Sequence, residues 1–383
     1  MLTILQVVPE LSAGGVERTT IDVARAIMAD GGQALIASQG GRMTHELDGT
    51  AVQFFQGPYD SKNPMTLWAN AGRLADIIRK HRVQIIHARS RAPAWSAYWA
   101  AKRTGIRFVT TYAGIYNADL PFKRHYNAIM ASGDIVIANS AYTARHIRET
   151  YKDLRRPIAV IPRGIDLAKF NPARVQPSHV AAMLARWAVP EGARVVLMPG
   201  RLTRWKGGLS FVEAMAQLKD RSVYGILAGD SQEREDFEDE VIARVKELGL
   251  AGRVRYVGQV DDMPTAFAAS DVVVSASIEP EAFGRVAVEA QAMGRLVVAT
   301  NIGGSTETII PGRTGWLVPP SSPPEMAAAI GQALSLDAAQ ALGVTTAARA
   351  HVAAKYDVAV MCRSTLRVYA KLLARDEDLA LSA

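Results

Sequence analysis

Short runs of apolar residues alternate with longer amphipathic stretches along almost the whole chain. The runs of the first half cover residues 2–8, 34–38, 85–87, 108–111, 135–138 and 158–161, and those of the second half cover residues 195–198, 224–228, 254–257, 272–275 and 296–299. Apolar runs of this length, each followed by a stretch of helical length, predict buried strands of parallel sheets that are covered by helices on both faces. Because this rhythm starts twice, we expect an α/β fold with two doubly wound, Rossmann-like domains.

The pattern lapses once, between residues 162 and 179, where Pro and Gly accumulate. We place the domain boundary there, which gives an N-terminal domain of residues 1–178 and a C-terminal domain of residues 179–356. From residue 357 onward the sequence predicts a terminal amphipathic helix. Ligands of open α/β sheets bind beyond the carboxyl ends of the strands. Two such domains that face each other would form a cleft, and the residues just after strands are the candidates for function.

The length and the charge of the chain refine this prediction. A chain of 383 residues is too long for one ordinary core, which agrees with two domains. Residues 1–180 contain 23 Lys and Arg against 13 Asp and Glu, whereas residues 181–383 contain 21 against 24. The basic half favours an anionic partner, although a solvated basic surface explains it equally well.

Cysteine content and hydropathy limit the cellular compartments in which the protein is expected. Cys362 is the only cysteine, which excludes a disulfide framework and fits a reducing environment. No apolar run approaches the ~20 residues of a membrane span, and the first residues read as a strand. We therefore expect a cytoplasmic protein that is at most peripheral to a membrane.

Two loops with glycines or cations follow predicted strands. The first loop ends in Gly14 and Gly15 just before a helix, where glycine lets a ligand approach the backbone and the helix N-terminus favours an anion. No G-x-G-x-x-G pattern follows that strand, which disfavours a dinucleotide cofactor. The second loop carries Arg201, Arg204 and Lys206, a set of cations that suits a pyrophosphate. The alternative for the first loop is a simple tight turn, and the alternative for the second is a solvated basic loop.

The stretch EAFGRVAVE, residues 281–289, places two carboxylates eight positions apart. On one continuous helix they would lie ~12 Å apart, which exceeds the ~5–9.5 Å between the carboxylates of glycoside hydrolases. Because Gly284 opposes a helix, Glu281 is expected on a loop, where it can bind sugar hydroxyls. Glu289 is expected in the helix that follows, where it can bind a ribose diol, and the backbone N–H groups of residues 283–286 can bind hydroxyls or phosphate. Two surface acids on a capped helix are the alternative.

These motifs and the stretch NIGGSTETIIPGRTGWLV (301–318) occur in an order and with spacings that resemble the retaining glycosyltransferases of family 4, which have the GT-B fold. The resemblance spans nearly the whole chain. It implies that the final helix, residues 357–383, crosses back to the N-terminal domain, which handles the acceptor, while the C-terminal domain binds a nucleotide sugar. The donor-binding residues that the resemblance implies are Gly14, Gly15, Arg201, Lys206, Val257, Val260, Glu281, Ala282, Phe283, Gly284, Arg285, Val286 and Glu289.

The resemblance further implies transfer of a hexose with retention, without a metal ion or another cofactor. The acceptor hydroxyl would attack the anomeric carbon from the face that the nucleotide leaves, and the leaving phosphate would take the proton. Arg201, Lys206 and Glu281 are then the catalytic candidates, together with the position of Ala113, where the family usually has a histidine. An engineered alanine, a natural variant and a catalytically silent relative are all open, and the intact donor motifs favour the first.

Residues near Ala113 and after the run 85–87 provide candidate acceptor contacts. Their cations can bind phosphates or carboxylates, and aromatic residues among them suit a lipid headgroup region. We therefore expect an anionic glycan or glycolipid as acceptor, and contact of the basic N-terminal domain with the cytoplasmic membrane surface. The candidate residues are His87, Arg89, Arg91, Tyr112, Tyr116, Asn117, Lys123 and Arg124. A structural role for the histidine and a solvated helix face for the arginines are the alternatives.

The substrates are suggested by a closer resemblance. The strings HARSRAPAWSAY and TTYAGIYN resemble bacterial lipopolysaccharide core mannosyltransferases, which implies GDP-mannose as donor and lipopolysaccharide core as acceptor. A UDP-sugar with another polysaccharide or lipid acceptor is the alternative. A sugar-nucleotide epimerase would need more acids or histidines near Ala113 than the sequence offers. A nucleic-acid-binding protein would fit the basic charge, but no nucleic-acid module is recognisable, so we expect no nucleic-acid partner.

Overall fold

The structure is a computed structural model that describes residues 1–12, 14–116, 120–153, 155–231 and 235–381. The chain divides into two compact units. The first consists of Met1–Gly164 together with Val358–Ala383, and the second of Ile165–Asp357.

The first unit contains a parallel sheet with helices on both faces. Its strands are β1 (Thr3–Val7), β2 (Gln33–Ser38), β3 (Gln53–Gln56), β4 (Ile85–Ala88), β5 (Arg107–Tyr112), β6 (Ile135–Ala138) and β7 (Ile158–Val160). Its helices before the boundary are α1 (Gly15–Ala29), α2 (Pro64–His81), α3 (Arg91–Thr104), α4 (Pro121–Ala128) and α5 (Ala141–Thr150), with 3₁₀ turns at Arg42–Leu47 and Ile129–Ala131. Over the described residues the strand order is β3-β2-β1-β4-β5-β6-β7.

The second unit repeats this architecture. Its strands are β8 (Arg194–Pro199), β9 (Val223–Ala228), β10 (Val254–Tyr256), β11 (Val272–Ser275), β12 (Leu296–Thr300) and β13 (Trp316–Val318). Its helices are α6 (Pro177–Arg186), α7 (Gly208–Gln217), α8 (Glu235–Glu247), α9 (Met263–Ala268), α10 (Arg285–Ala292), α11 (Ser305–Thr308), α12 (Pro323–Ser335) and α13 (Ala338–Lys355), with 3₁₀ turns at Pro172–Arg174 and Arg204–Lys206. In the part of the chain that the structure describes, the strands are parallel in the order β10-β9-β8-β11-β12-β13.

The predicted fold class, two doubly wound parallel sheets, is therefore confirmed. The strands that the apolar runs predicted are buried along most of their length, as in β1, β8 and β12. Two edge strands were not predicted. β3 has the sequence QFFQ, with two apolar residues between glutamines, and β13 has the sequence WLV, with three residues.

The boundary between the units lies at Gly164–Ile165, whereas the sequence placed it at residues 178 and 179. The intervening segment packs against the second unit. Phe170 is buried with its ring centroid 6.2 Å from that of Phe267, and the N–H of Ile165 donates to the carbonyl oxygen of Tyr356 at 2.8 Å. Pro and Gly residues interrupt the hydrophobic periodicity here, but the segment still packs against the core of the second unit.

The final helix, α14 (Val358–Leu381), belongs to the first unit. Met361, Tyr369 and Leu372 are buried in the same apolar cluster as Ile21 and Ile27 of α1. The amphipathic pattern of the C-terminal residues reflects this packing. Within the described residues, no helix has both the length and the apolar character that crossing a membrane requires.

Candidate functional site

The loops after β8 and β11 meet where the strand order of the second sheet reverses. Such a switch point is where ligands of doubly wound folds bind. The N–H of Ile278 donates to the carbonyl oxygen of Trp205 at 2.8 Å. Gly207 has φ 78°, and a Cβ atom there would lie 2.0 Å from the carbonyl oxygen of Ala276. Only glycine fits this position, and it lets the two loops close on each other.

A cluster of charged side chains forms at this junction. The ammonium group of Lys206 lies 2.7 Å from Oε1 of Glu281, and the two side chains are only 14% and 12% exposed. Ser277 donates a second, short hydrogen bond to the same carboxylate oxygen. The Lys206 nitrogen lies 4.4 Å from the ring centroid of Trp205, and the guanidinium carbon of Arg201 lies 5.8 Å from it. The structure therefore brings together three of the predicted donor-site side chains.

The stretch 301–318 supports the backbone of Glu281. The N–H of Gly304 donates to the carbonyl oxygen of Glu281 at 2.7 Å. A Cβ atom added to Gly303 would lie 2.4 Å from that oxygen, and one added to Gly304 would lie 2.5 Å from the Cα of Phe283. These two glycines, which the sequence suggested only through the family resemblance, let the chain pack directly against the loop that carries Glu281.

Glu281 lies on the loop and Glu289 in the helix, as the sequence predicted for their local structure. Gly284 precedes α10 with φ 81° and, having no side chain, leaves the first-turn N–H groups without a side-chain cap of its own. Phe283 is buried, so it can reach a ligand chiefly through its backbone, whereas the side chain of Arg285 is 49% exposed. Glu289 is 9% exposed, and its Oε1 lies 3.2 Å from Nε of Arg285 on the helix. An anion at this helix start would meet partial positive charge.

Val257 and Val260, the residues predicted near the base, follow β10. The N–H of Val257 donates to the carbonyl oxygen of Leu227 at 2.9 Å, and the side chain of Val260 is buried in the core of the unit. The N–H of Gly229 donates to the carbonyl oxygen of Gly258 at 2.8 Å, which fixes the path of this loop. As valines, both residues can hydrogen-bond a base through backbone groups alone.

In the first unit, Gly14 and Gly15 form the start of α1. Gly14 has φ 128°, and a Cβ atom there would lie 2.6 Å from a carboxylate oxygen of Glu17. A Cβ atom on Gly15 would lie 2.3 Å from Nη1 of Arg163. Burial raises the pKa of Glu17, an effect that the helix-start N–H groups and Arg163 partly oppose. The sequence did not predict Glu17 or Arg163, although Arg163 follows a strand and could have been found by the rule that predicted the other candidates.

A narrow cavity lies beside this helix start. Its lining includes Ala113, Arg89, Arg163, Thr111 and Asn139, and its volume of about 20 Å³ has room for roughly one water molecule. The amide of Asn139 donates to the carbonyl oxygen of Ala113 at 3.2 Å. Arg89 and Arg163 therefore both line the cavity beside Ala113, the position where the resemblance implies a histidine.

Arg89 is 3% exposed and donates to Oε1 of Gln6 at 3.0 and 2.7 Å and to Thr111 at 3.4 Å. Burial lowers the pKa of its guanidinium. Among the described residues, no carboxylate lies within ion-pair distance of Arg89. The charge of Asp22 and the hydroxyl of Tyr369 partly oppose this effect of burial.

His87, predicted as an acceptor contact, is completely buried in the central strand β4. Its Nδ1 lies 2.6 Å from the hydroxyl of Tyr369 and its Nε2 lies 2.7 Å from that of Thr111. Burial and the charge of Arg89 lower the pKa of His87 well below its usual range. Both ring nitrogens therefore have internal partners, which favours the structural role that the sequence left open as the alternative.

The remaining acceptor candidates are divided between core and surface. Tyr112 is buried, with its ring centroid 4.6 Å from that of Tyr116, another of the predicted acceptor contacts. Arg91 donates to Oδ1 of Asn127 at 3.0 Å, and its guanidinium lies 4.6 Å from the ring centroid of Tyr116.

Lys123 and Arg124 are exposed on α4. Asn117, also predicted, lies outside the described residues.

Comparisons with known proteins agree with this geometry. Residues 193–336 match the family described as glycosyl transferases group 1, and residues 13–169 match Glycosyltransferase Family 4. A D-inositol 3-phosphate glycosyltransferase of Corynebacterium urealyticum is 28% identical over 374 residues, which cover 88% of this chain and 86% of that protein.

Two solved structures are similar over nearly their whole length. A glycosyltransferase from Rickettsia africae has a TM-score of 0.89 and 40% identity, over 97% of this chain and 98% of that one. HepE from Anabaena, in complex with UDP and glucose, has a TM-score of 0.83 and 25% identity, over 97% of this chain and 100% of that one.

Proposed function

Because the chain belongs to the glycosyltransferases of family 4, with the two Rossmann-like units of the GT-B fold, we propose that it transfers a hexose from a nucleotide sugar to an anionic glycan or glycolipid. The observation that carries this proposal is the cluster of Arg201, Lys206 and Glu281 at the switch point of the second sheet. A diphosphate needs several cationic or N–H donors, and the cluster and the start of α10 offer both kinds.

In this proposal the donor diphosphate takes Lys206 as a partner in place of Glu281. The freed carboxylate of Glu281 then binds hydroxyls of the transferred sugar, and Glu289 binds the ribose. Arg201 contributes a planar guanidinium that can contact two phosphate oxygens at once. The exchange leaves both members of the Lys206–Glu281 pair with a polar partner, which a buried charge requires.

The proposed reaction proceeds with retention. A bond forms between the acceptor oxygen and the anomeric carbon while the bond from that carbon to the phosphate oxygen breaks on the same face. The acceptor proton passes to the leaving phosphate, and the products are a glycoside and a nucleoside diphosphate. Arg201, Lys206 and the N–H groups of α10 would stabilise the charge that develops on the phosphate without a metal ion.

Two donor series are candidates. GDP-mannose is the prediction from the sequence resemblance, and the HepE complex with UDP and glucose supports a UDP-hexose as the alternative. The proposed acceptor is anionic because Arg89 and Arg163 line the cavity beside Ala113. The relatives named D-inositol 3-phosphate glycosyltransferase support a phosphorylated acceptor, and lipopolysaccharide core stays a prediction from sequence.

The test compares two arginines of the same loop. Arg204 is 65% exposed in its side chain and pairs with Glu240 at the surface, so Arg204→Ala is a matched control for Arg201→Ala. Calorimetric titration with UDP and GDP should show weaker binding for Arg201→Ala and unchanged binding for Arg204→Ala. Equal affinities for the two variants would contradict the proposed donor site.

A catalytically silent sugar-nucleotide binder is the second candidate, because Ala113 replaces the family histidine. Incubation with UDP- and GDP-sugars and a panel of phosphorylated acceptors separates the two functions. Acceptor-dependent release of nucleoside diphosphate supports the transferase. Donor binding without such release, even after long incubation, supports the silent binder.

A further inference from the structure

A second cavity, of about 600 Å³, lies wholly within the second unit. It follows β10, the edge strand of the second sheet, between α8 on one side and the end of α6 on the other, and is here called the β10 groove. Arg201, Lys206 and Glu281 do not line it, so the groove is separate from the proposed donor cluster. Its volume falls within the range of about 300–1,000 Å³ that is typical of small-molecule sites.

The lining of the β10 groove is largely apolar. Leu227 of β9, Val254 of β10, and Val241 and Val245 of α8 contribute to it. Trp187, at the end of α6, also lines the groove and is 2% exposed. Its indole N–H has no hydrogen-bond partner among the described residues, although a buried tryptophan N–H usually has one. The groove can therefore accept an apolar body, and one residue that lines it retains an unmet donor.

Three cations line the β10 groove as well. Arg186 and Lys246 lie in the last turns of α6 and α8, and Arg255 lies in β10. The guanidinium of Arg255 donates to the carbonyl oxygens of Trp187 and Ala188, which holds the end of α6 against β10. In the part of the chain that the structure describes, no carboxylate lies within ion-pair distance of any of the three cations.

Acids lie near the β10 groove without lining it. Glu247 pairs with Arg244 at 2.8 Å. Burial raises the pKa of Tyr256, and the charges of Glu238 and Asp230 add to this effect, so these two acids lie in the neighbourhood of the tyrosine. Among the described residues that line the groove, none is acidic. The lining thus combines an apolar surface with positive charge that no carboxylate of the described chain pairs directly.

We propose that the β10 groove binds a small organic anion with an apolar body, such as an aromatic or acyl carboxylate. The cations attract the acid group, and burial against the apolar lining stabilises the rest of the ligand. A second copy of the chain, paired strand to strand through β10, is the rival occupant. It would bring the same cations to the same edge, and like charges that face each other destabilise a strand pair. The inference stands without the proposed transferase activity.

The test is a fluorescence titration of the protein with two dyes. Anilinonaphthalene sulfonate is an aromatic anion, and phenylnaphthylamine has the same rings without the sulfonate. Lys246→Ala should weaken binding of the sulfonate about two- to fivefold, as expected for an exposed charge pair, and leave binding of the uncharged dye unchanged. Lys355→Ala is the matched control, because Lys355 is also exposed in the last turn of a helix of the second unit but does not line the groove. It should change the binding of neither dye.

A second pair of variants fills the groove. Ala251 lines the groove and Ala243 of α8 does not, and both are exposed, so a larger side chain at either position leaves the core intact. Ala251→Trp should weaken binding of both dyes roughly tenfold or more, whereas Ala243→Trp, which adds the same indole, should leave it unchanged.

Four results would overturn the proposal. They are equal dye binding by the two tryptophan variants, equal effects of the two lysine variants, displacement of the sulfonate by UDP or GDP, and a wild-type protein that binds no dye but sediments as a dimer that Ala251→Trp dissociates. The last result would assign the groove to a second copy of the chain. Calorimetric titration with UDP and GDP is a separate readout, so the groove and the donor site can fail independently.

Discussion

The ion pair between Lys206 and Glu281 offers the sharpest test of the donor site. Removing one charge and removing both charges should have different effects on stability but the same effect on binding of the donor. Lys206→Met removes the ammonium group from the carboxylate of Glu281, which is 12% exposed in its side chain. Of the partners that this carboxylate has among the described residues, the hydrogen bond from Ser277 then remains. The double variant Lys206→Met/Glu281→Gln removes both charges. We expect the single variant to be destabilised and the double variant to regain most of that stability, because no unpaired charge is left buried.

The magnitude follows from the burial of the pair. Exposed pairs contribute about 0–1 kcal/mol, and loss of one partner of a fully buried pair costs about 3–5 kcal/mol. With side-chain exposures of 14% and 12%, we expect about 2 kcal/mol for Lys206→Met. For a unit of this size the loss corresponds to a fall in melting temperature of roughly 4–8 °C.

Binding should follow a different pattern. A hydrogen bond from a charged donor to phosphate contributes about 1.5–3 kcal/mol, so both variants should bind the nucleoside diphosphate roughly 10- to 150-fold more weakly than the wild-type protein. The assay combines thermal melting without ligand and calorimetric titration with UDP and GDP. A double variant that binds as tightly as the wild type would refute the role of Lys206, and a single variant as stable as the wild type would refute the energetic reasoning.

Three further predictions concern the first unit. Ala113→His should raise turnover, because the resemblance implies a histidine at this position, which lines a cavity together with Arg89 and Arg163; a purified, active protein that gains nothing would contradict the role inferred for this position. Tyr369→Phe should lower the free energy of unfolding by about 1–2 kcal/mol in a denaturant titration, because it leaves Nδ1 of the buried His87 without its partner at 2.6 Å. Burial raises the pKa of Glu17 above its ordinary 4.5, so the ionised group opposes folding at neutral pH. Glu17→Gln should therefore raise the melting temperature near pH 7, and this gain should vanish as the pH falls below the ordinary pKa; a gain that is the same at both pH values would show that the charge is not its cause.

The sequence predicted the interior strands well because strands buried on both faces leave long apolar runs. The edge strands β3 and β13 were missed because they contribute only two and three apolar residues to the pattern. The position of Glu281 on a loop and of Glu289 in α10 was predictable because Gly284 marks the start of the helix locally. Buried strands and helix starts depend on residues that are close in sequence, so the sequence pattern can predict them.

Features that depend on distant residues were less predictable. His87 reads as a strand-end residue, and only the packing of α14 against the sheet provides Tyr369 as its partner, 282 positions away. Arg163 lies near Gly15 only once the first sheet has formed. Residues 165–178 pack with the second unit because of the burial of Phe170, which no local composition indicates.

The most direct test of the donor site is a crystal structure of the full chain soaked with UDP or GDP. We predict the diphosphate within hydrogen-bonding distance of Lys206 and Arg201, the N–H groups of α10 facing it, and the ribose hydroxyls on Glu289. Density for the diphosphate elsewhere in the chain, with the Lys206–Glu281 pair intact, would contradict the proposed donor site.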